Sequence, residues 1–173
     1  VGIIKLCQSL LAVFNILIQV AENIIPIKAV KIFQHEGYRG LFIYGSKVSL
    51  LGAVPFIVLS LIFLLFGEVI VGLMYGEKYV SQIGDVLFIY SISYIFVYLI
   101  VPVRAILRAT GDTKEWFYAY VFASILSLSS VYWLEVNYSE FGVVVGILLA
   151  HVALIGYSSS AITIKFIRVR NGY

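Results

Sequence analysis

Lys5, Gln8, Asn15, Gln19 and Glu22 are polar residues in an opening stretch made mostly of Leu, Ile, Val, Ala and Phe. At 100° per residue they fall within an arc of about 100° on one helix. Two kinds of chemistry suit such a stripe. The amides can join neighbouring helices, at about 0.6–2 kcal/mol each, with Lys5 and Glu22 reaching toward the ends. Alternatively, the whole stripe lines a water-filled path. Tyr90, Tyr94 and Tyr98 recur at i, i+4 and i+8, with Ser91 and Ser93 beside them. Their rings can stack on sugars or line a cavity with hydroxyls, or simply pack against neighbouring helices. His151 lies inside another apolar run. An intramembrane histidine suits a proton relay or a substrate contact, or a neutral imidazole bonded to a serine of another helix. Tyr120, Ser124, Ser127 and Ser130 share one side of a further segment, where small hydroxyl residues let helices approach. The substrate path is therefore sought among Lys5, Gln8, Asn15, Gln19, Glu22, Tyr94 and His151.

Covalent chemistry has no comparable support. The sequence holds no HExxH, no GxSxG and no phosphate-binding glycine loop. The acidic residues Glu68, Glu77, Asp85, Asp112, Glu135 and Glu140 sit mostly at the edges of apolar runs. Cys7 stands alone, so no internal disulfide forms and no metal-ligand spacing exists. No enzyme activity, metal or cofactor is expected.

The elements that hold these residues must lie in lipid. Of 173 residues, 62% are hydrophobic and 12% charged, and the mean hydropathy is +1.04. A soluble domain is about 25% charged, so a soluble enzyme, a disordered chain and a disulfide-built module are excluded. The net charge of +3 gives no reason to expect nucleic acid; the lipid bilayer is the first partner. Crossing it takes about 20 apolar residues in a helix or closed barrel. Runs such as 54–66 and 143–149 are apolar almost throughout, without the alternation of barrel strands. The expected fold is all-α, a polytopic membrane helix bundle. Its five transmembrane helices span about 2–25, 48–66, 83–103, 116–134 and 141–166. The start at Val1, directly in an apolar run, reads as a fragment of a longer protein forming a single transmembrane domain. The opening run lacks a small-residue cleavage site, so it is not read as a signal peptide.

Charge sets the expected orientation. Lys28, Lys31, Arg39 and Lys47 lie between the first two segments, and Arg104, Arg108 and Lys114 between the third and fourth. Lys165, Arg168 and Arg170 follow the fifth, so ten of the 12 Lys and Arg residues fall in three alternate stretches. The positive-inside rule places those stretches and the C-terminus in the cytoplasm. Residues 26–47 read as a cytoplasmic amphipathic loop broken at Gly37 and Gly40. Trp116 and Trp133 bracket the fourth segment at the two interfaces. Pro55 and Pro102 are expected to bend their helices.

Two stretches resemble a known family. Leu73-Met74-Tyr75-Gly76-Glu77-Lys78-Tyr79 follows the second segment, and Leu107-Arg108-Ala109-Thr110-Gly111-Asp112-Thr113-Lys114 joins the third and fourth. A "YGxxY" turn, a spanning helix and an "LRATGDTK" turn resemble the C-terminal lobe of bacterial polysaccharide flippases. These are the O-antigen and exopolysaccharide exporters of the MATE-like superfamily. Phe141-Gly142-Val143-Val144-Val145-Gly146 resembles the start of their last helix. The likeness spans roughly Pro26 to Phe166. It implies a partial MATE-like lobe, five helices of about twelve, with the N-terminal lobe of the same protein missing. It also implies transport of a lipid-linked (undecaprenyl-pyrophosphate) oligosaccharide across the inner (plasma) membrane by alternating access. Family members hold the pyrophosphate with cationic cavity residues, and Lys5 alone on the stripe could play that part. A drug or metabolite efflux pump of the same superfamily is the alternative. A membrane glycosyltransferase or polymerase, or a structural membrane subunit, are rivals of other classes.

Overall fold

The computed structural model describes residues 2–170, except for the side chains at positions 81, 82, 169 and 170. Arg170, counted above with the basic C-terminal stretch, therefore has its side chain outside the described residues. Among the described residues the chain is helical nearly throughout. Helix α1 covers Gly2–Leu10, α2 Ala12–Tyr75, α3 Val80–Ala109 and α4 Thr113–Arg170, with a 3-10 turn at Glu77–Tyr79 before α3. Three of them, α2, α3 and α4, are long and apolar enough to cross a membrane by length and composition.

Four helices stand where five separate ones are expected, α2 and α4 each joining two arms across one non-helical residue. The first segment is divided between α1 and α2 at Leu11, and α2 runs on into the second segment. The fourth and fifth share α4. The reason lies in two reversals of a single residue each. Gly37 adopts φ 64° and ψ −156°, a backbone region open essentially to glycine alone. Ser139 adopts φ 52° and ψ −137°. Each long helix is folded back on itself there. In α2, Phe14 of the first arm (12–36) packs against Phe56 and Phe63 of the second (38–75), with ring centroids 5.6 and 6.1 Å apart. In α4, Gly142 faces the Leu134 carbonyl and Gly146 faces Val131.

Residues 26–36 accordingly continue the first arm of α2 as helix, and the break expected at Gly40 is absent. Gly40 is helical and buried. Pro26, Pro55 and Pro102 also sit inside helices whose backbone dihedrals remain helical around them. The lost N–H of each proline is tolerable where neighbouring helices cover the freed carbonyl.

The core gathers on α3. Tyr94 stacks on Phe14 at 5.0 Å, and Tyr98 stacks on Phe56 at 4.7 Å. The Tyr98 hydroxyl donates to the Val48 carbonyl at 2.8 Å. That bond needs a close approach, because a Cβ at Gly52 would overlap the same hydroxyl. The outer face of the second α2 arm is the reverse. Leu50, Leu51, Ile57, Leu61 and Leu65 are all exposed, Leu50 by 74%. An apolar stripe of that length has no place in water and fits hydrocarbon.

The turn after α3 shows how sequence closes a helix. Gly111, at φ 77°, follows the cap residue Thr110. Its N–H donates to the Arg108 carbonyl at 3.2 Å, and Asp112 N–H donates to Leu107 at 2.8 Å. This is the paired closure in which glycine takes the left-handed position.

Candidate functional site: a polar cleft over the third helix

Both α2 and α4 pack along α3, yet they meet each other little. A cleft remains between the first arm of α2 and the α4 hairpin, with α3 as its floor. One cavity of about 290 Å³ in it is bordered by Glu22 from α2, by Arg104 from α3, and by Tyr120, Ser124, Ser127 and His151 from α4.

The first wall is built by helix periodicity. Cys7, Leu11, Phe14, Ile18 and Ile25 form the buried face of α1 and the first α2 arm. Ile16, Val20, Ile24 and Ile27 are exposed on a second, apolar face. Lys5, Gln8, Asn15, Gln19 and Glu22 are exposed too, on a third face between those two. At 100° per residue its centre lies about 100° from the buried one. The stripe is thus at the edge of the packed seam, not within it.

From that edge three of its members reach α3. Gln8 Nε2 donates to the Tyr90 hydroxyl at 3.0 Å. The Asn15 side chain lies close enough to the Tyr94 hydroxyl to interact. Glu22 forms a salt bridge with Arg104, whose guanidinium donates to the carboxylate. The two side chains are 41% and 22% exposed, so water reaches the pair. Lys5 and Gln19 make no hydrogen bond or ion pair among the described residues and are free to meet another group.

Tyr94 has a divided role. Its ring is buried between Phe14 and Tyr90, in the packing arrangement weighed above, while its hydroxyl faces Asn15. His151 is half-buried on the α4 wall. It shares the cavity with Ser124 and Ser127, but no hydrogen bond joins it to either. Its Nδ1 is buried without a partner of good geometry, although the Ile147 backbone one turn back is close enough to interact. The structure therefore brings Glu22 and His151 to one cavity and keeps Lys5 and Gln8 toward the α1 end of the stripe.

Arg104 escaped the sequence reading, which counted it only among loop cations. A signal was present: Arg104 lies about 40° from Tyr90 on the α3 face at 100° per residue. Asp112 and Lys165 were missed in the same way. They form an ion pair that ties the α3–α4 turn to the last part of α4. Taken together, the cleft offers one compensated charge pair, several hydroxyls, two free amide or ammonium groups on the stripe and one unpartnered imidazole nitrogen. That set can bind and orient a polar molecule, and it holds no nucleophile–base pair. No protein family, curated protein or solved structure matches the chain in comparisons of its sequence and fold.

Proposed function

We propose that the chain is part of a membrane transporter that flips a lipid-linked oligosaccharide, the cleft over α3 being its share of the translocation path. The carrying observation is the exposure of Lys5, Gln8, Asn15, Gln19 and Glu22 on a helix whose other exposed face is apolar. Polar side chains in a spanning helix face a bundle interior or water, not lipid. In this reading α2 and α4, each folded at one residue, supply four spans, and α3 is the fifth. The basic stretches lie in the cytoplasm with the C-terminus, in the inner membrane. The missing lobe closes the open side of the cleft, and rocking of the two lobes exposes the stripe to each side in turn. Lys5, free on the stripe, is the cation for the pyrophosphate. The resemblance of the "YGxxY" and "LRATGDTK" turns to polysaccharide flippases supports the same substrate class. Pairing of Glu22 with Arg104 speaks against the efflux alternative, which needs an uncompensated carboxylate for a cationic drug.

Cysteine labelling tests this in the full-length protein with Cys7 replaced by Ser. Cysteines at Gln8, Asn15 and Gln19 react with a small membrane-impermeant thiol reagent, and an undecaprenyl-pyrophosphate-linked oligosaccharide protects them. Cysteines at Ile16 and Val20, on the apolar face, stay unlabelled. Labelling of neither face would return the stripe to a role in joining helices.

A further inference from the structure

A second cavity opens on the other side of α4, at the end of the bundle that holds Lys165 and Arg168. It is a groove of about 670 Å³ between the two arms of α4. Its walls are Phe122, Ala153, Gly156, Tyr157, Ala161 and Ile164. Its two hydroxyls are those of Tyr157 and Ser160, and Ser160 donates to the Gly156 carbonyl at 2.8 Å, so it offers the groove little polarity. Water fills a cavity only where several polar groups hold it, so these walls favour hydrocarbon. Gly156 leaves open space where a side chain would begin, and the Phe122 and Tyr157 rings close the groove with centroids 6.3 Å apart.

The mouth is charged in a particular way. Asp112, Glu115, Lys165 and Arg168 border it. Asp112 and Lys165 satisfy each other. Glu115 and Arg168 make no hydrogen bond or ion pair among the described residues, which leaves one free carboxylate and one free guanidinium. We infer that the groove binds a phospholipid with a primary-amine zwitterionic headgroup, phosphatidylethanolamine in chemistry. An acyl chain lies against Phe122 and Tyr157, the phosphate meets Arg168, and the ammonium donates to Glu115. Guanidinium and phosphate match in geometry and charge. A choline headgroup has no N–H to give Glu115. A glycerol headgroup brings no cation to it and leaves the carboxylate facing a like charge. The inference needs the helices to lie in lipid and is independent of what the cleft over α3 transports.

Reconstitution of the protein into nanodiscs of equal parts phosphatidylethanolamine, phosphatidylcholine and phosphatidylglycerol tests it. The lipid that stays bound after release into mild detergent is read by native mass spectrometry. One phosphatidylethanolamine is retained over either competitor by about tenfold, the worth of one charge-assisted hydrogen bond. Gly156→Leu starts a side chain in the groove where a Cβ meets open space, favours helix over glycine, and loses the lipid at unchanged helicity. Glu115→Gln, at a half-exposed position, keeps the fold and brings phosphatidylethanolamine and phosphatidylglycerol to near parity. Equal retention of the three lipids by the unaltered protein, retention of none, or undiminished retention by Gly156→Leu would each overturn the assignment.

Discussion

Two helix seams in this protein are built from opposite materials. Between the α4 arms the contact is steric: Gly142 and Gly146, four apart, let the Leu134 carbonyl and Val131 come so close that no Cβ fits. Along the seam of α1 and the first α2 arm with α3, the packed face is apolar and a polar edge runs beside it, from Gln8–Tyr90 to Glu22–Arg104. Several hydroxyls of α4 belong with the first kind. Ser129 donates to the Ile125 carbonyl at 2.9 Å and Thr163 to Ser159 at 2.8 Å, each within its own helix. A hydroxyl can satisfy itself one turn back, whereas Gln8 and Glu22 of the stripe find partners 82 residues away. Polar content alone therefore does not mark a site in a spanning helix; polarity that reaches another helix, or stays exposed, does.

The steric seam should break hardest. Gly142→Val drives a side chain into backbone, and the expected destabilisation is about 2 kcal/mol or more, as for overpacked interiors. Thermal unfolding in detergent reads it, and an unchanged midpoint would mean the arms separate freely.

The charge pair comes next and decides how wet the cleft is. Glu22→Gln leaves Arg104 unpaired. Where water fills the cleft, the loss is about 1 kcal/mol or less, in the range of exposed pairs. Where the seam is dry, it rises to about 3–5 kcal/mol. Given the exposure of both side chains, the smaller value is expected, and the larger one would turn the cleft into a closed contact.

A double-mutant cycle on Gln8→Leu and Tyr90→Phe measures the polar edge directly. A coupling of about 0.6 kcal/mol is expected, the average for such bonds between spanning helices. Zero coupling would show that the amide prefers water to the tyrosine. The smallest effects belong to the self-satisfied hydroxyls: Ser129→Ala and Thr163→Val should each stay within about 0.5 kcal/mol of the parent. A larger loss at either would blur the contrast between the seams.

Much of the helical layout was legible. The fourth and fifth apolar runs meet near the reversal at Ser139, whereas the first ends well before the one at Gly37; Thr110-Gly111-Asp112 reads as a helix stop because glycine alone is at ease in the left-handed position. Gly37 was legible for the same reason, but Gly40, three residues on, was not a break. A glycine permits a turn without requiring one, and the buried face at Gly40 holds it in helix. The second reversal had no such marker. It falls at Ser139, a non-glycine residue at positive φ, in a polar stretch, 135–140, that indicates an interface more than a particular turning residue.

The sequence by itself determined that this chain is helical, apolar enough for lipid, and striped with polar residues along its first apolar segment. Those properties are local: a period of 3.6 residues and the transfer energy of each side chain need no knowledge of neighbours. Only the tertiary structure decided that the stripe lies at the edge of a seam, that Glu22 meets Arg104 beside His151, and that Asp112 meets Lys165. Which helix faces which follows from the fit of whole surfaces, here from tyrosine rings seated among Phe14, Phe56 and Gly52. Such fits join residues tens of positions apart, and no local pattern encodes them.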